Sequence, residues 1–403
     1  MNYEENLLFT PEGVRDTYGI DCENRNIVEH NARVLMNNYG FEDIQTPTFE
    51  FFDIFNRERG TVGSKDMFKF FDRYNNTLVL RPDITPSIAR CVAKYYSKEE
   101  MPIRLSYGGS TFKQIHGYHG KLAEVYQLGA ELINDGSSDA DAEMIALTVE
   151  ILKNAGLDEF TVDVGHAGFI KGIMNEAGFD VAEVKEYKDM LSNKNIFAVE
   201  RFVSDKDISA SLKELLIKLP DLFGGIETID YALERVNDKE AIDALERLKT
   251  VYQILTIYGV EGNVTFDLST LSNYDYYTGI VFKAYTYGAG EAIVSGGRYD
   301  NLIEQFGKKA NAVGLALLLD QLMKAIDNQN KNKAIEKDGI LILFRSNNRQ
   351  KAISISNEYR NQGKKVVLMR KAADFDNEDY KKYAEKRNLA EVVLVNDDEI
   401  INI

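Results

Sequence analysis

Two strand-like runs, Ile103 to Lys113 and Ala123 to Ile133, stand on either side of one short loop, Gln114 to Leu122, that carries glycine and histidine. Parallel neighbours need a crossover of a dozen or more residues, so runs joined this closely pair antiparallel as a hairpin. A second such pair, Met67 to Phe71 and Thr77 to Leu80, is joined by a turn containing Asn75 and Asn76. The chain is therefore expected to build on an antiparallel sheet. On Ala123 to Ile133 the side chains alternate, which puts Gln127, Gly129 and Glu131 on one face and Leu128, Ala130 and Leu132 on the other.

Helical patterns surround these runs. Ile27, Val28, Ala32, Leu35 and Met36 recur at helical spacing over residues 23 to 39, and Gly40 stands where a C-cap glycine belongs. A strand is expected over Ile44 to Phe51, where Pro47 suggests an edge or interface position. From about 166 to 255 helical patterns such as Ser209 to Leu219 and Thr228 to Leu255 dominate, which reads as an insertion. Strand character returns at Val264 to Leu268, Asp275 to Tyr285 and Ala292 to Ser295, ahead of a helix expected near Gly314 to Ile326. A polar linker, 327 to 338, leads to three apolar runs, Ile340 to Phe344, Lys365 to Met369 and Val392 to Val395, that alternate with helical patterns as in a parallel sheet. The expected architecture is α+β: a first domain over 1–326 and a small α/β domain over 339–403.

Composition excludes several function classes. At 403 residues and 44% hydrophobic content the chain can bury a large core. Its longest apolar run, Ala312 to Leu319, falls far short of the roughly 20 residues that a membrane-spanning helix needs. No membrane partner is expected, and the start MNYEENLLF lacks the pattern of a secretory signal, so a cytoplasmic location is expected. A net charge of −16 repels polyanions and argues against a nucleic-acid partner. Cys22 and Cys91 have no metal-ligand spacing, and His116 and His119 read as a solvated loop. With no P-loop or Rossmann glycine fingerprint and no nucleophile motif beside His30 or His166, no cofactor, metal or catalytic residue is expected.

What remains is a candidate pocket. Along Asp275 to Tyr285, Tyr277 and Gly279 share one face, with Tyr276, Thr278 and Ile280 opposite. Two antiparallel strands of this kind place a carboxylate, an amide and a phenol around a space kept open by glycine, which suits a small cationic or zwitterionic ligand. The same pattern fits the wet face of a half-exposed sheet, and Asp83 and Thr85 in LRPDIT fit ordinary turn positions, so periodicity leaves these alternatives open.

Six segments in order resemble histidyl-tRNA synthetase, a class II aminoacyl-tRNA synthetase: PEGVRD at 11–16, IQTPTFE at 44–50, LRPDIT at 80–85, YQLGAELI at 126–133, YDYYTGIVF at 274–282 and SGGRYDNLIEQFG at 295–307. That resemblance implies a class II synthetase-like sheet flanked by helices, with a tail resembling a shortened anticodon-binding domain. It also implies histidine ligands: Asp83, Thr85 and Gln127 for the α-ammonium, Glu131 and Tyr277 for the imidazole, and Lys113 and Tyr276 beside them. The departures fall on ATP chemistry. Lys113 and Ile115 stand where the family has its ATP-binding arginine and glutamate, Ser272 replaces the arginine that polarises the histidine carboxylate, and Gln321 replaces the arginine on the γ-phosphate. Each such donor is worth about 3 kcal/mol of transition-state stabilisation, so adenylation is expected to be lost while amino-acid binding stays.

This combination resembles the paralogous family of ATP phosphoribosyltransferase regulatory subunits. The resemblance implies a non-catalytic role in the first step of histidine biosynthesis and feedback inhibition by histidine as effector. It further implies a short-form catalytic partner subunit and homodimers within a hetero-octamer, with the helix at 23 to 39 and Pro47 matching the class II dimer motif. A divergent histidyl-tRNA synthetase and a histidine-sensing or RNA-binding adaptor stand as alternatives.

Overall fold

The computed structural model describes residues 8–55, 62–115, 121–270, 276–331, 337–396 and 399–403; His116, His119 and Ser272 lie outside them. The chain divides into two compact units, one of Met1–Asp16 with Arg25–Lys331 and one of Thr17–Asn24 with Asn332–Ile403.

Helix α1 (Gly19–Asn38) is followed by β1 (Glu42–Asp43), β2 (Phe49–Phe51), β3 (Lys69–Phe71), β4 (Thr77–Leu80) and helix α2 (Thr85–Tyr95). The long hairpin is β5 (Ile103–Phe112) and β6 (Glu124–Ile133), after which come helix α3 (Ser138–Asn154), β7 (Phe160–His166) and helix α4 (Ala167–Glu176). Helices α5 (Val181–Ser192), α6 (Ile196–Ser204), α7 (Ala210–Lys218), α8 (Glu227–Leu233) and α9 (Lys239–Tyr258) follow, with the short β8 (Phe223–Gly224) between α7 and α8. The unit closes with β9 (Val264–Asp267), β10 (Ile280–Thr286), β11 (Val294–Arg298), β12 (Ala312–Leu318) and helix α10 (Leu319–Asn328).

Nine strands make one sheet in the order β1-β5-β6-β12-β11-β10-β7-β9-β8. Its pairs are antiparallel apart from β1 with β5 and β7 with β9, so the sheet is mixed rather than purely antiparallel. A separate three-stranded sheet, β2-β4-β3, carries the second hairpin. One face of the large sheet is apolar: Leu128, Ala130 and Leu132 of β6 stand beside Leu317, Leu315 and Val313 of β12, and α3 buries Met144, Leu147 and Ile151 in the same core. The opposite face of these strands is the one that carries Gln127 and Glu131.

Three sequence expectations need correction. Ala312 to Leu318 is a strand and the helix starts only at Leu319, because an unbroken apolar run fits a buried strand as well as a helix. The run Ile44 to Phe51 is not one strand; pairing is confined to Glu42–Asp43 and Phe49–Phe51, with Pro47 between them. Strand β10 begins at Ile280, so Tyr276 and Tyr277 precede it rather than alternate along it.

In the smaller unit β13 (Ile340–Phe344), β14 (Val366–Arg370) and β15 (Glu391–Val395) run parallel, and β16 (Ile400–Asn402) pairs antiparallel with β15. Helices α11 (Arg349–Asn361) and α12 (Asn377–Lys386) bury apolar clusters around Ala352 and around Tyr380 and Ala384.

Candidate functional site

Strands β6 and β12 build the floor. Their register sets Glu131 opposite Gly314, Gly129 opposite Ala316 and Gln127 opposite Leu318. Glycine is required at the first pair, since a Cβ at Gly314 would stand 1.7 Å from Glu131 Oε2. Space freed by that missing side chain is where the buried carboxyl lies. Above the floor, the chain leaves β4 through Arg81 and Pro82 and enters α2 at Thr85, with Pro86 in the first turn, where its absent N–H costs nothing. Arg81 fixes this crossing by donating to the carbonyls of Ser110 and Thr46 at 2.8 and 2.9 Å.

The result is a cleft, and all seven residues expected as ligands line it: Asp83, Thr85, Lys113, Gln127, Glu131, Tyr276 and Tyr277. Tyr276, expected on the face away from Tyr277, shares the cleft because the two tyrosines lie outside the strand, their rings edge to face at 4.9 Å. Ser295 and Tyr299 also line it and were missed. Tyr299 directly follows Arg298, the last residue of β11, and its hydroxyl reaches Glu131.

Electrostatics single out Glu131. It is 1% exposed, and its two oxygens accept from Thr85 Oγ1 at 2.8 Å and Tyr299 Oη at 2.5 Å. Burial pushes its carboxyl up to about 8; the two hydroxyl donors pull it down, and the nearby Asp83 charge raises it further. Asp83 is buried too, so its carboxyl is also held above the usual carboxylate range, although Lys113, the Ile84 N–H at 2.7 Å and the Tyr276 hydroxyl favour the ionised form. The Gln127 amide oxygen is buried with no hydrogen-bond partner. Among the described residues lining the cleft Lys113 is the one cation, against two buried carboxyls.

Of the described positions expected to handle ATP, Lys113 alone keeps a cation. Ile115 offers only an alkyl chain, and Gln321, near the start of α10, buries an amide oxygen without a partner. The arginines of the glycine-rich strand and of α9 are engaged elsewhere: Arg298 and Arg247 both clamp Asp141, a fully buried carboxylate at the start of α3, at 2.7 and 2.6 Å. His166 caps α4 by accepting from Gly168 N–H, and burial lowers it to about 4, which keeps it neutral. Among the described residues no group of three His, Cys, Asp or Glu is placed to hold a metal ion.

A broad mixed sheet backed by helices, with a cleft whose polar lining comes from adjacent strands and a crossing loop, defines a body of the class II aminoacyl-tRNA synthetase type. The histidyl-tRNA synthetase family model matches residues 13–322. The regulatory subunit of ATP phosphoribosyltransferase from Acetivibrio thermocellus is 35% identical over 98% of this chain and 94% of its own length. That from Clostridium acetobutylicum is 32% identical over 95% and 94%. A Bacillus halodurans crystal structure described as an ATP phosphoribosyltransferase regulatory subunit/histidyl-tRNA synthetase superposes with a TM-score of 0.86 at 32% identity, covering 96% of this chain and 98% of that one. Histidyl-tRNA synthetase from Nostoc, at 16% identity, shares the fold with a TM-score of 0.82. The chain belongs to the family of ATP phosphoribosyltransferase regulatory subunits, within the histidyl-tRNA synthetase fold group.

Proposed function

We propose that this chain is the non-catalytic regulatory subunit of an ATP phosphoribosyltransferase, working in the first step of histidine biosynthesis, and that it holds histidine in the cleft of Asp83, Thr85, Gln127, Glu131 and Tyr277, with Lys113 and Tyr276 at its wall. The observation that carries this reading is the charge inventory of the cleft: two buried carboxyls and an unpaired amide oxygen face one lysine. Such a set welcomes an ammonium group and a ring N–H, and it disfavours the multiple negative charges of a reacting triphosphate. Chemistry then belongs to a partner, a short-form catalytic subunit, with this chain forming homodimers inside a hetero-octamer. Histidine inhibits by binding one of two states of the complex more tightly than the other. The net charge of −16 disfavours a nucleic-acid partner. Among the described residues no helix is long and apolar enough to cross a membrane, in keeping with work in the cytoplasm.

Reconstitution with a short-form catalytic subunit tests this directly. Phosphoribosyl-ATP formation should require or be raised by this chain and should fall on adding histidine, and Glu131→Ala should abolish both the inhibition and the heat of histidine binding in calorimetry. Unchanged histidine affinity in that variant would move the effector elsewhere. The rival reading, a divergent synthetase, is favoured by the double description of the Bacillus halodurans structure. Clear histidine-dependent ATP–pyrophosphate exchange by the pure chain would establish it.

A further inference from the structure

Helices α4 and α9 pack together through small residues: a Cβ added at Gly168 would touch Ala244, and one at Gly172 would meet Ala241. Beside this contact a groove opens, with His166, Lys239, Arg247, Thr278 and Arg298 on its walls. Among the described residues none lines both this groove and the histidine cleft. Two donor groups are left over in it. The His166 ring accepts the Gly168 N–H on Nδ1 at 3.1 Å, and burial, helped by the Arg247 and Arg298 charges, lowers the ring to about 4. A neutral imidazole whose Nδ1 accepts carries its proton on Nε2, and that N–H makes no hydrogen bond among the described residues. Arg247 gives Nε to Asp141 at 2.7 Å and Nη2 to the carbonyls of Gly136 and Ser137 at 2.9 and 3.0 Å. Its Nη1 is left without a protein partner among those residues, and the side chain is 26% exposed where it lines the groove.

The acids here are committed. Glu240 pairs with Lys171 at 2.9 Å, Asp243 with Lys239, Asp141 with both arginines, and Asp300 with Arg298 and the Ala312 N–H. Charge therefore balances, with Lys171, Lys239, Arg247 and Arg298 set against those carboxylates. A polyphosphate gains little from a wall of no net charge, whereas one carboxylate needs only donors that meet it. We propose that the groove is a second ligand site, in which His166 Nε2–H and Arg247 Nη1 donate to the oxygens of a carboxylate. The rest of such a molecule has room along α4, where the hollow continues past Thr278 to Asn175 and Lys188. A free small acid and the end of a peptide chain offer the same group to these donors. The site stands apart from the histidine reading and does not depend on it.

Heteronuclear NMR of the full chain at pH 7 tests this, because a ring-labelled sample holds only 4 histidines. The probes are sodium acetate, inorganic phosphate, and acetyl-dialanine with its C-terminal amide, each compared with sodium chloride at equal ionic strength. Acetate should shift the His166 ring and the Gly168 N–H saturably, with roughly millimolar affinity, while chloride and the amide should not. Tighter binding of acetyl-dialanine than of acetate would give the carboxylate to a chain end; acetate as tight or tighter would give it to a small acid. His166→Asn, whose side-chain oxygen still caps α4, should weaken acetate at least about fivefold as followed by the Gly168 N–H. The proposal is overturned by no saturable shift in the parent, by an equal response to chloride or to the amide, or by phosphate binding more tightly than acetate. Unchanged acetate affinity in a folded His166→Asn overturns it as well, and the parent's own response decides the matter should that variant fail to fold.

Discussion

Under the proposed histidine reading, the raised Glu131 carboxyl makes binding a proton-linked event, and the perturbation that exposes it is pH alone. In the free protein the group titrates at about 8. A ligand that brings an ammonium and a ring N–H into a cleft with only one lysine stabilises the ionised carboxylate, so binding must first remove the proton. The ionised fraction is about a tenth at pH 7 and about three-quarters at pH 8.5, so histidine affinity should tighten about eightfold between these values. Over that window the free ligand's own ring stays neutral. Titration calorimetry at pH 7 in two buffers of different ionisation enthalpy should report close to one proton released per histidine, falling towards zero as pH passes 8. Stability of the empty protein runs the other way. Because folding raises this carboxyl from about 4.5 to about 8, its contribution is full below about 4.5 and is lost as pH rises through about 8. A flat affinity profile, or no proton released at pH 7, would refute the reasoning.

Two structural predictions accompany it. Gly314→Ala should weaken histidine binding about tenfold or more, because the new methyl occupies the place of Glu131 Oε2 and must displace it from Tyr299; calorimetry alongside a thermal melt separates this from unfolding. Asp141→Ala should lower unfolding free energy by about 3 kcal/mol in urea titration, since it leaves the buried Arg298 guanidinium only the longer contact with Asp300 as counter-charge.

Periodicity drew one strand of the floor, β6, without separating a pocket from the wet face of a half-exposed sheet, and its limits explain what was missed. The alternation that set Gln127 and Glu131 against Leu128 and Leu132 is a property of the strand itself, and the structure keeps it. The role of Asp83 and Thr85 was not visible in this way, because a turn sequence followed by a helix says nothing of which strand lies 46 positions further on, where Thr85 finds Glu131. Resemblance of motifs, not spacing, brought them in. Tyr276 was assigned to the wrong face because a two-residue period was extended across a segment that is not yet a strand. The run Ala312 to Leu318 held no period of either kind, so its state was decided by pairing to β6 and β11.

The charge inventory of the cleft also bears on signalling fidelity. An effector site descended from a nucleotide-using pocket risks answering to nucleotide, which is what the catalytic partner of such a subunit consumes. With no arginine among the described residues of the lining and two buried carboxyls beside the single lysine, abundant ATP should make a poor competitor for the seat. Under the proposed histidine reading, end-product level would thereby be reported without crosstalk from substrate supply.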